Sequence, residues 1–215
     1  MNELLEKLRG RLIVSCQALE NEPLHGSHIM RKMALAVKEG GAAAIRANGV
    51  KDILAIKDET QLPIIGLIKR DYDNCPVYIT PTVTEINELL SSECEIIALD
   101  ATDRCHVDGV TLKEKLDLIH KNNRLAMADV STLEEGMRAE ALGFDLISTT
   151  LSGYTPYSPQ QVEPDFSLVE KMVQTVKIPV IAEGRISSDA DVKKMMQYNP
   201  FAIVIGGAIT RPQNI

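Results

Sequence analysis

The chain has no tryptophan, and aromatic residues make up only 4% of its 215 positions. It also has no C-x-x-C pair, no basic excess and no long apolar run. Each shortage removes a class of function. Nucleic-acid binding draws on a basic footprint and, for single strands, on aromatic stacking platforms. Here 30 acidic residues outweigh 23 basic ones and the net charge is −7, so no nucleic-acid partner is expected. A membrane-spanning helix needs about 20 consecutive apolar residues, and no run approaches that, so no membrane partner is expected either. The opening string MNELLEKLRGR is charged and amphipathic and lacks the apolar core of an export signal. Cys16, Cys75, Cys94 and Cys105 are scattered, which leaves neither a zinc ribbon nor a dithiol motif and fits a reducing, cytoplasmic compartment. His25 and His28 can share one helix face, but no Cys or acidic ligand stands beside them, so no metal is expected. Cys105 and His106 are adjacent, and neighbours on an extended chain point to opposite faces, which disfavours a nucleophile–base pair.

What the chain does have is globular composition, 45% apolar and 25% charged. Eight short apolar runs, at 12–15, 44–46, 63–68, 96–99, 125–128, 146–148, 179–182 and 201–205, alternate with longer amphipathic stretches. The runs show little polar alternation, as expected of parallel strands covered on both faces. The stretches between them carry helical stripes such as Ile29, Met30, Met33, Val37 and Leu168, Val169, Met172, Val176. Thr82-x-x-Glu85, Thr111-x-x-Glu114 and Ser131-x-x-Glu134 read as capping boxes, and Gly40-Gly41 and Gly143 as helix ends. Residues 77–80 read as a short strand or a loop arm. Eight βα repeats predict a single-domain (β/α)8 TIM barrel spanning residues 1–215. An open doubly wound sheet is the competitor, but no G-x-G-x-x-G follows the first run.

In such a barrel the chemistry lies where strands run out into the βα loops. The first run ends at Ser15, Cys16 and Gln17, the second at Arg46, the third at Lys69 and Arg70, and the fourth at Asp100. The fifth ends at Asp129, the sixth at Thr149 and Thr150, the seventh at Glu183, Gly184 and Arg185, and the eighth at Gly206 and Gly207. Glycine amides after the last two strands, with Arg185 and Arg211 nearby, form the arrangement barrels use to hold phosphate. A phosphorylated small molecule is therefore the expected ligand.

A lysine and a glutamate at the same mouth can exchange protons with a carbon acid, one removing a proton and the other returning one. Burial and the charge of Arg46 should lower the Lys69 pKa, and Glu183, if close, should oppose that. Lys69 can equally form a Schiff base, or only bind substrate. The residues alone leave these roles open.

The strings IVSCQALENEPLH, IRAN, IGLIKRDY, IALDAT, MADVST, GFDLISTTLSGYT, VIAEGRI and VIGGAITRP, in this order, resemble the N-acetylmannosamine-6-phosphate 2-epimerase family. The resemblance runs from about residue 12 to 212. It implies a phosphate-binding barrel that interconverts N-acetylmannosamine 6-phosphate and N-acetylglucosamine 6-phosphate in sialic acid and amino-sugar catabolism, with no cofactor. It places the catalytic pair on Lys69 and Glu183, substrate contacts on Gln17, Arg46 and Asp129, and the phosphate arginine on Arg211. Asp100 stays unassigned. The segment 105–107 departs from the family pattern, which has a proline there. The alternatives are another phosphosugar isomerase or a Schiff-base aldolase on the same kind of barrel, or a non-catalytic phosphosugar sensor.

The eight strands are matched by only seven full helices, because ten residues follow Ile205. A barrel lacking that helix exposes apolar surface. Either a last helix has been trimmed or a second copy covers the gap, and a homodimer is the expected assembly. The phosphate site, at the edge of that gap, is expected to be the least rigid part of the chain.

Overall fold

Each apolar run becomes a parallel strand, and the amphipathic stretches become the helices that cover it. The computed structural model describes residues 3–214. The strands are β1 (Leu12–Cys16), β2 (Ala44–Asn48), β3 (Ile64–Leu67), β4 (Ile96–Asp100), β5 (Leu125–Asp129), β6 (Leu146–Ser148), β7 (Val180–Glu183) and β8 (Ala202–Ile205). They pair in sequence order and β8 pairs with β1, which closes the barrel. Seven helices follow the first seven strands in turn. They are α2 (Ser27–Glu39), α3 (Val50–Thr60), α4 (Val83–Leu90), α5 (Leu112–Lys121), α6 (Leu133–Leu142), α7 (Phe166–Thr175) and α8 (Asp189–Met196). Among the described residues, β8 is followed by the four-residue α9 (Gly207–Thr210) and a 3-10 turn, Pro212–Asn214. No longer helix follows β8 among the described residues.

The pleat of each strand decides which side chains reach the barrel centre. Ile13, Ala44, Ile65, Leu67, Ile96, Ala98, Met127, Leu146, Ile181, Ala202 and Val204 fill the interior. Their alternates, among them Val14, Ile45, Ala47, Ile64, Ile97, Ala126, Ala128 and Ile147, pack against the helices. Both sets are apolar, so the pattern along the chain does not say which set faces inward. The short helix α1 (Glu3–Leu8) precedes β1, and its Leu5 and Leu8 join the interior cluster. They close the end of the barrel where the strands begin, a plug that the charged N-terminal string did not announce.

The helix starts follow the capping signals with one correction. Thr82 with Glu85 and Thr111 with Glu114 form capping boxes. At α6 the box is Thr132 with Glu135, one residue later than Ser131 and Glu134. Burial decides the register. Glu134 is exposed, while Glu135 is buried and also accepts from the Ser131 amide and hydroxyl and the Tyr157 hydroxyl. Ser188 and Asp191 form a further box at α8. Residues 77–80 are a loop arm: Ile79 makes an isolated antiparallel bridge to Lys69.

Candidate active site

The interior alternation, continued to the C-terminal ends of the strands, points Arg46, Asp129 and Glu183 inward above the core, with Gln17, Lys69 and Gly206 one or two residues beyond the strands. A cavity of about 490 Å³ opens at this mouth. Its wall includes Gln17, Arg46, Lys69, Glu183, Gly184, Arg185, Gly206, Gly207 and Arg211. Of the residues singled out for the site, only Asp129 is not in the wall, because it lies fully buried behind Arg46.

Arg46 is the centre of the polar cluster and is 1% exposed. Its Nη1 donates to Asp129 Oδ1 at 3.2 Å and to Thr150 Oγ1 at 2.9 Å, and its Nη2 donates to Asp129 Oδ2. Nη1 also pairs with Glu183 Oε2. The Thr150 hydroxyl lies 2.9 Å from both Asp129 Oδ1 and Glu183 Oε2, and the Ser148 hydroxyl donates to Glu183 Oε2 at 3.2 Å. The Thr149 hydroxyl holds the Glu183 backbone, accepting from its amide and donating to its carbonyl. Among the described residues Glu183 Oε1 makes no hydrogen bond, so one carboxylate oxygen is anchored and the other is open to the cavity. Burial pushes the Asp129 carboxyl up, the charge of Arg46 opposes that, and the nearby Glu183 adds to it.

Lys69 is placed by its backbone. Its amide donates to Asn48 Oδ1 at 2.8 Å, and the next residue's amide reaches the Tyr78 carbonyl on the loop arm. Among the described residues its Nζ has neither a hydrogen bond nor an ion pair. Burial and the charges of Arg46 and Arg211 lower its pKa, and Glu183 and Glu22 oppose the shift. A half-buried lysine with no direct partner holds its proton less firmly than one in water.

The end of the mouth that carries the glycines after β7 and β8 has two parts. Gly206 and Gly207 begin α9, where first-turn amides have no partner inside the helix. Gly206 also lets the backbone approach β1, since an added Cβ would lie 3.2 Å from Ser15 Cβ. Arg211 lies beside them in the wall. Arg185 lines the same wall and also holds a loop. Its Nε donates to the Glu163 carbonyl at 3.0 Å and its Nη1 to the Ser152 carbonyl at 2.8 Å, with the Tyr154 ring 5.9 Å away. Its guanidinium pins the loop between β6 and α7, because those carbonyls lie within its reach once the loop folds over β7.

Asp100, which the residues left unassigned, is buried against the Thr102 hydroxyl and the Arg104 guanidinium, an arrangement that orders its own loop. His106 turns to the Pro81 carbonyl and Lys115 Nζ, away from any partnership with Cys105. His25 Nδ1 lies 3.1 Å from the Ala18 carbonyl. Among the described residues no group of three His, Cys, Asp or Glu side chains is arranged to hold a metal ion.

Residues 30–215 match the N-acetylmannosamine-6-phosphate epimerase family. The chain belongs to that family. A Clostridium perfringens relative named N-acetylmannosamine-6-phosphate 2-epimerase is 60% identical over 99% of this chain and 96% of its own length. A Clostridioides difficile relative of the same name is 53% identical over 99% and 95%. A solved structure of the N-acetylmannosamine-6-phosphate 2-epimerase from Clostridium perfringens superposes with a TM-score of 0.97 at 59% identity, covering 99% of this chain and 93% of that one. Within this epimerase barrel, Ser148 and Glu22 are polar partners that strand-end reading passed over, and Thr150 is a strand-end residue it gave no role. Ser148 sits inside β6 and looks like an ordinary strand residue. Thr150 stood at a strand end but carried no charge to mark it. Glu22 lies in a loop five residues beyond Gln17.

Proposed function

We propose that this protein interconverts N-acetylmannosamine 6-phosphate and N-acetylglucosamine 6-phosphate by proton exchange at C2. The observation that supports this best is a lysine with no direct partner and a glutamate with one open oxygen in the wall of a single cavity. The sugar opens to its aldehyde, which makes the C2 proton acidic. Neutral Lys69 Nζ takes that proton, the C2–H electron pair moves into the C1–C2 bond, and the carbonyl oxygen gains negative charge. Glu183, as general acid, then delivers a proton to the opposite face of C2, the electron pair returns from the C1–C2 bond to form the new C2–H bond, and the roles reverse for the other direction. Arg46, gripped by Asp129, supplies positive charge at the wall where the enolate oxygen develops, and aimed charge of this kind is often the largest catalytic contribution. Gln17 contacts the sugar. Arg211 and the amides of Gly184, Gly206 and Gly207 hold the phosphate. Family membership supports the substrate pair, and the geometry supports these roles.

Turnover in heavy water tests the chemistry. Mass spectrometry of the product should find solvent deuterium at C2. Product that keeps its original hydrogen, or capture of the sugar on Lys69 by borohydride, sinks the two-base scheme.

Leu12, Val192, Met196, Ile203, Ile205 and Ile209 line an apolar groove beside β8. We infer that a second copy covers it in a homodimer, and sedimentation at micromolar concentration should find two chains per particle. No helix among the described residues is long and apolar enough to cross a membrane, and we place the enzyme in the cytoplasm, where phosphorylated sugars are retained.

A further inference from the structure

We infer that Glu22 is a positioning residue for Arg211, holding its guanidinium from behind so that the free edge faces the substrate phosphate. The inference rests on the phosphosugar reading of the cavity. Arg211 Nε donates to Glu22 Oε1 at 2.5 Å and Nη2 donates to Oε2 at 3.0 Å. This fork occupies one edge of the guanidinium, and the two N–H groups of Nη1 and the second one of Nη2 stay available. Among the described residues no other hydrogen bond engages them. Arg211 lines the cavity and Glu22 does not, so the arginine is the member of the pair that presents to the ligand.

Glu22 is itself held. Its Oε2 accepts from the Leu19 amide at 2.7 Å, and its own amide donates to the Leu19 carbonyl at 2.9 Å. The carboxylate is thus fixed to a closed turn, and Pro23 follows directly. The pairing with Arg211 also holds the Glu22 carboxyl down to about 2, so it stays ionised across the neutral range.

Arg211 needs such a hold. It follows a helix of only four residues and has left helical geometry, with φ −124° and ψ 78°. A long side chain on so short a support would sample many rotamers, and ordering them on binding weakens affinity. The ion pair joins residues 189 apart in sequence. It acts together with the Thr210 hydroxyl, which donates to the Ser15 carbonyl at 2.9 Å, to dock the phosphate corner onto β1 and its loop.

A competing role is distinguishable. If Glu22 instead occupied the phosphate's place on Arg211, its removal would tighten anion binding. The test uses the full chain with Glu22→Gln and Glu22→Asp, inorganic phosphate as the calorimetric probe, and steady-state kinetics with N-acetylmannosamine 6-phosphate. For Glu22→Gln the phosphate Kd and the substrate KM should both rise on the order of tenfold, the equivalent of one charge-assisted hydrogen bond, with kcat falling much less. Glu22→Asp, charged but one methylene short, should lie between it and the wild type. Phosphate binding that is unchanged or tighter in both variants overturns the inference, as does a loss carried by kcat alone. If Glu22→Gln fails to fold, Glu22→Asp carries the same comparison. Wild-type protein that binds phosphate but does not epimerise the sugar defeats the functional reading and leaves the Glu22 measurement standing. Wild-type protein that binds no phosphate overturns both.

Discussion

Replacing Arg46 by methionine tests whether the cluster at the barrel mouth is organised around one cation. In the folded chain Arg46 touches two carboxylates at once, with Asp129 fully buried and Glu183 14% exposed. Methionine keeps most of the side-chain volume and removes every one of those contacts. Stripping one partner from a buried ion pair costs about 3–5 kcal/mol, because the remaining charge stays in the interior without compensation. For a chain of this size each kcal/mol moves the melting temperature by about 2–4 °C, so Arg46→Met should melt roughly 6–20 °C below wild type at pH 7. The penalty should also depend on pH, and its sign follows from Asp129. Burial and Glu183 already raise that carboxyl, and Arg46 is the main opposing influence. Without Arg46 the folded pKa rises further above the unfolded value of about 3.9. A raised carboxyl pKa means that the folded state binds protons before the unfolded state does. The destabilisation is therefore full above the folded pKa and fades as pH falls through it. Melting curves of wild type and variant should converge between pH 7 and 4, and Asp129→Asn in the Arg46→Met background should recover part of the loss at pH 7. A variant that melts within 2 °C of wild type with no pH dependence would falsify the view that Arg46 organises the site.

Three other expectations follow from the same geometry. Lys69→Met should lower kcat by about 10²–10⁴-fold, the usual contribution of a positioned base. It should nonetheless raise the melting temperature, since a lowered lysine pKa marks a charged form that the fold disfavours; the gain is full below the folded pKa and vanishes above the unfolded value of about 10.4. Leu8→Ala opens the plugged end of the barrel and should cost about 2–5 kcal/mol in urea denaturation, with KM unchanged because the plug lies at the opposite end from the site. Gly206→Ala forces a Cβ to 3.2 Å from Ser15 Cβ and should cost about 1–3 kcal/mol of stability together with a higher KM for the phosphosugar, measured by thermal melts and initial rates.

Much of the candidate site is legible before folding because a barrel is periodic. Where an apolar run stops, a loop at the catalytic face begins, and Lys69, Asp129 and Glu183 stand at such stops. The cavity wall gathers Lys69 and Glu183, with Asp129 buried behind Arg46, because a closed eight-stranded sheet brings its strand ends together. Arg185 lines the cavity wall, and its long side chain also finds carbonyls on a neighbouring loop that sequence order does not put beside it. Asp100 has the same parity as Asp129 and yet turns to Arg104, four residues on, which offered a cation nearer than the site.

The order of strands and helices and the residue types at the mouth follow from local chemistry: apolar runs that must be covered on both faces, hydroxyl–carboxylate caps, and charges where those runs end. That information is carried by neighbours along the chain, so it can be read there. Which apolar face turns inward, which of five ionisable strand ends converge, and that Glu22 meets Arg211 across 189 residues were decided only when β8 closed on β1. Closure brings together groups with no sequence relation. In the low-dielectric interior it creates, a charge is stable only beside the partner that closure supplies.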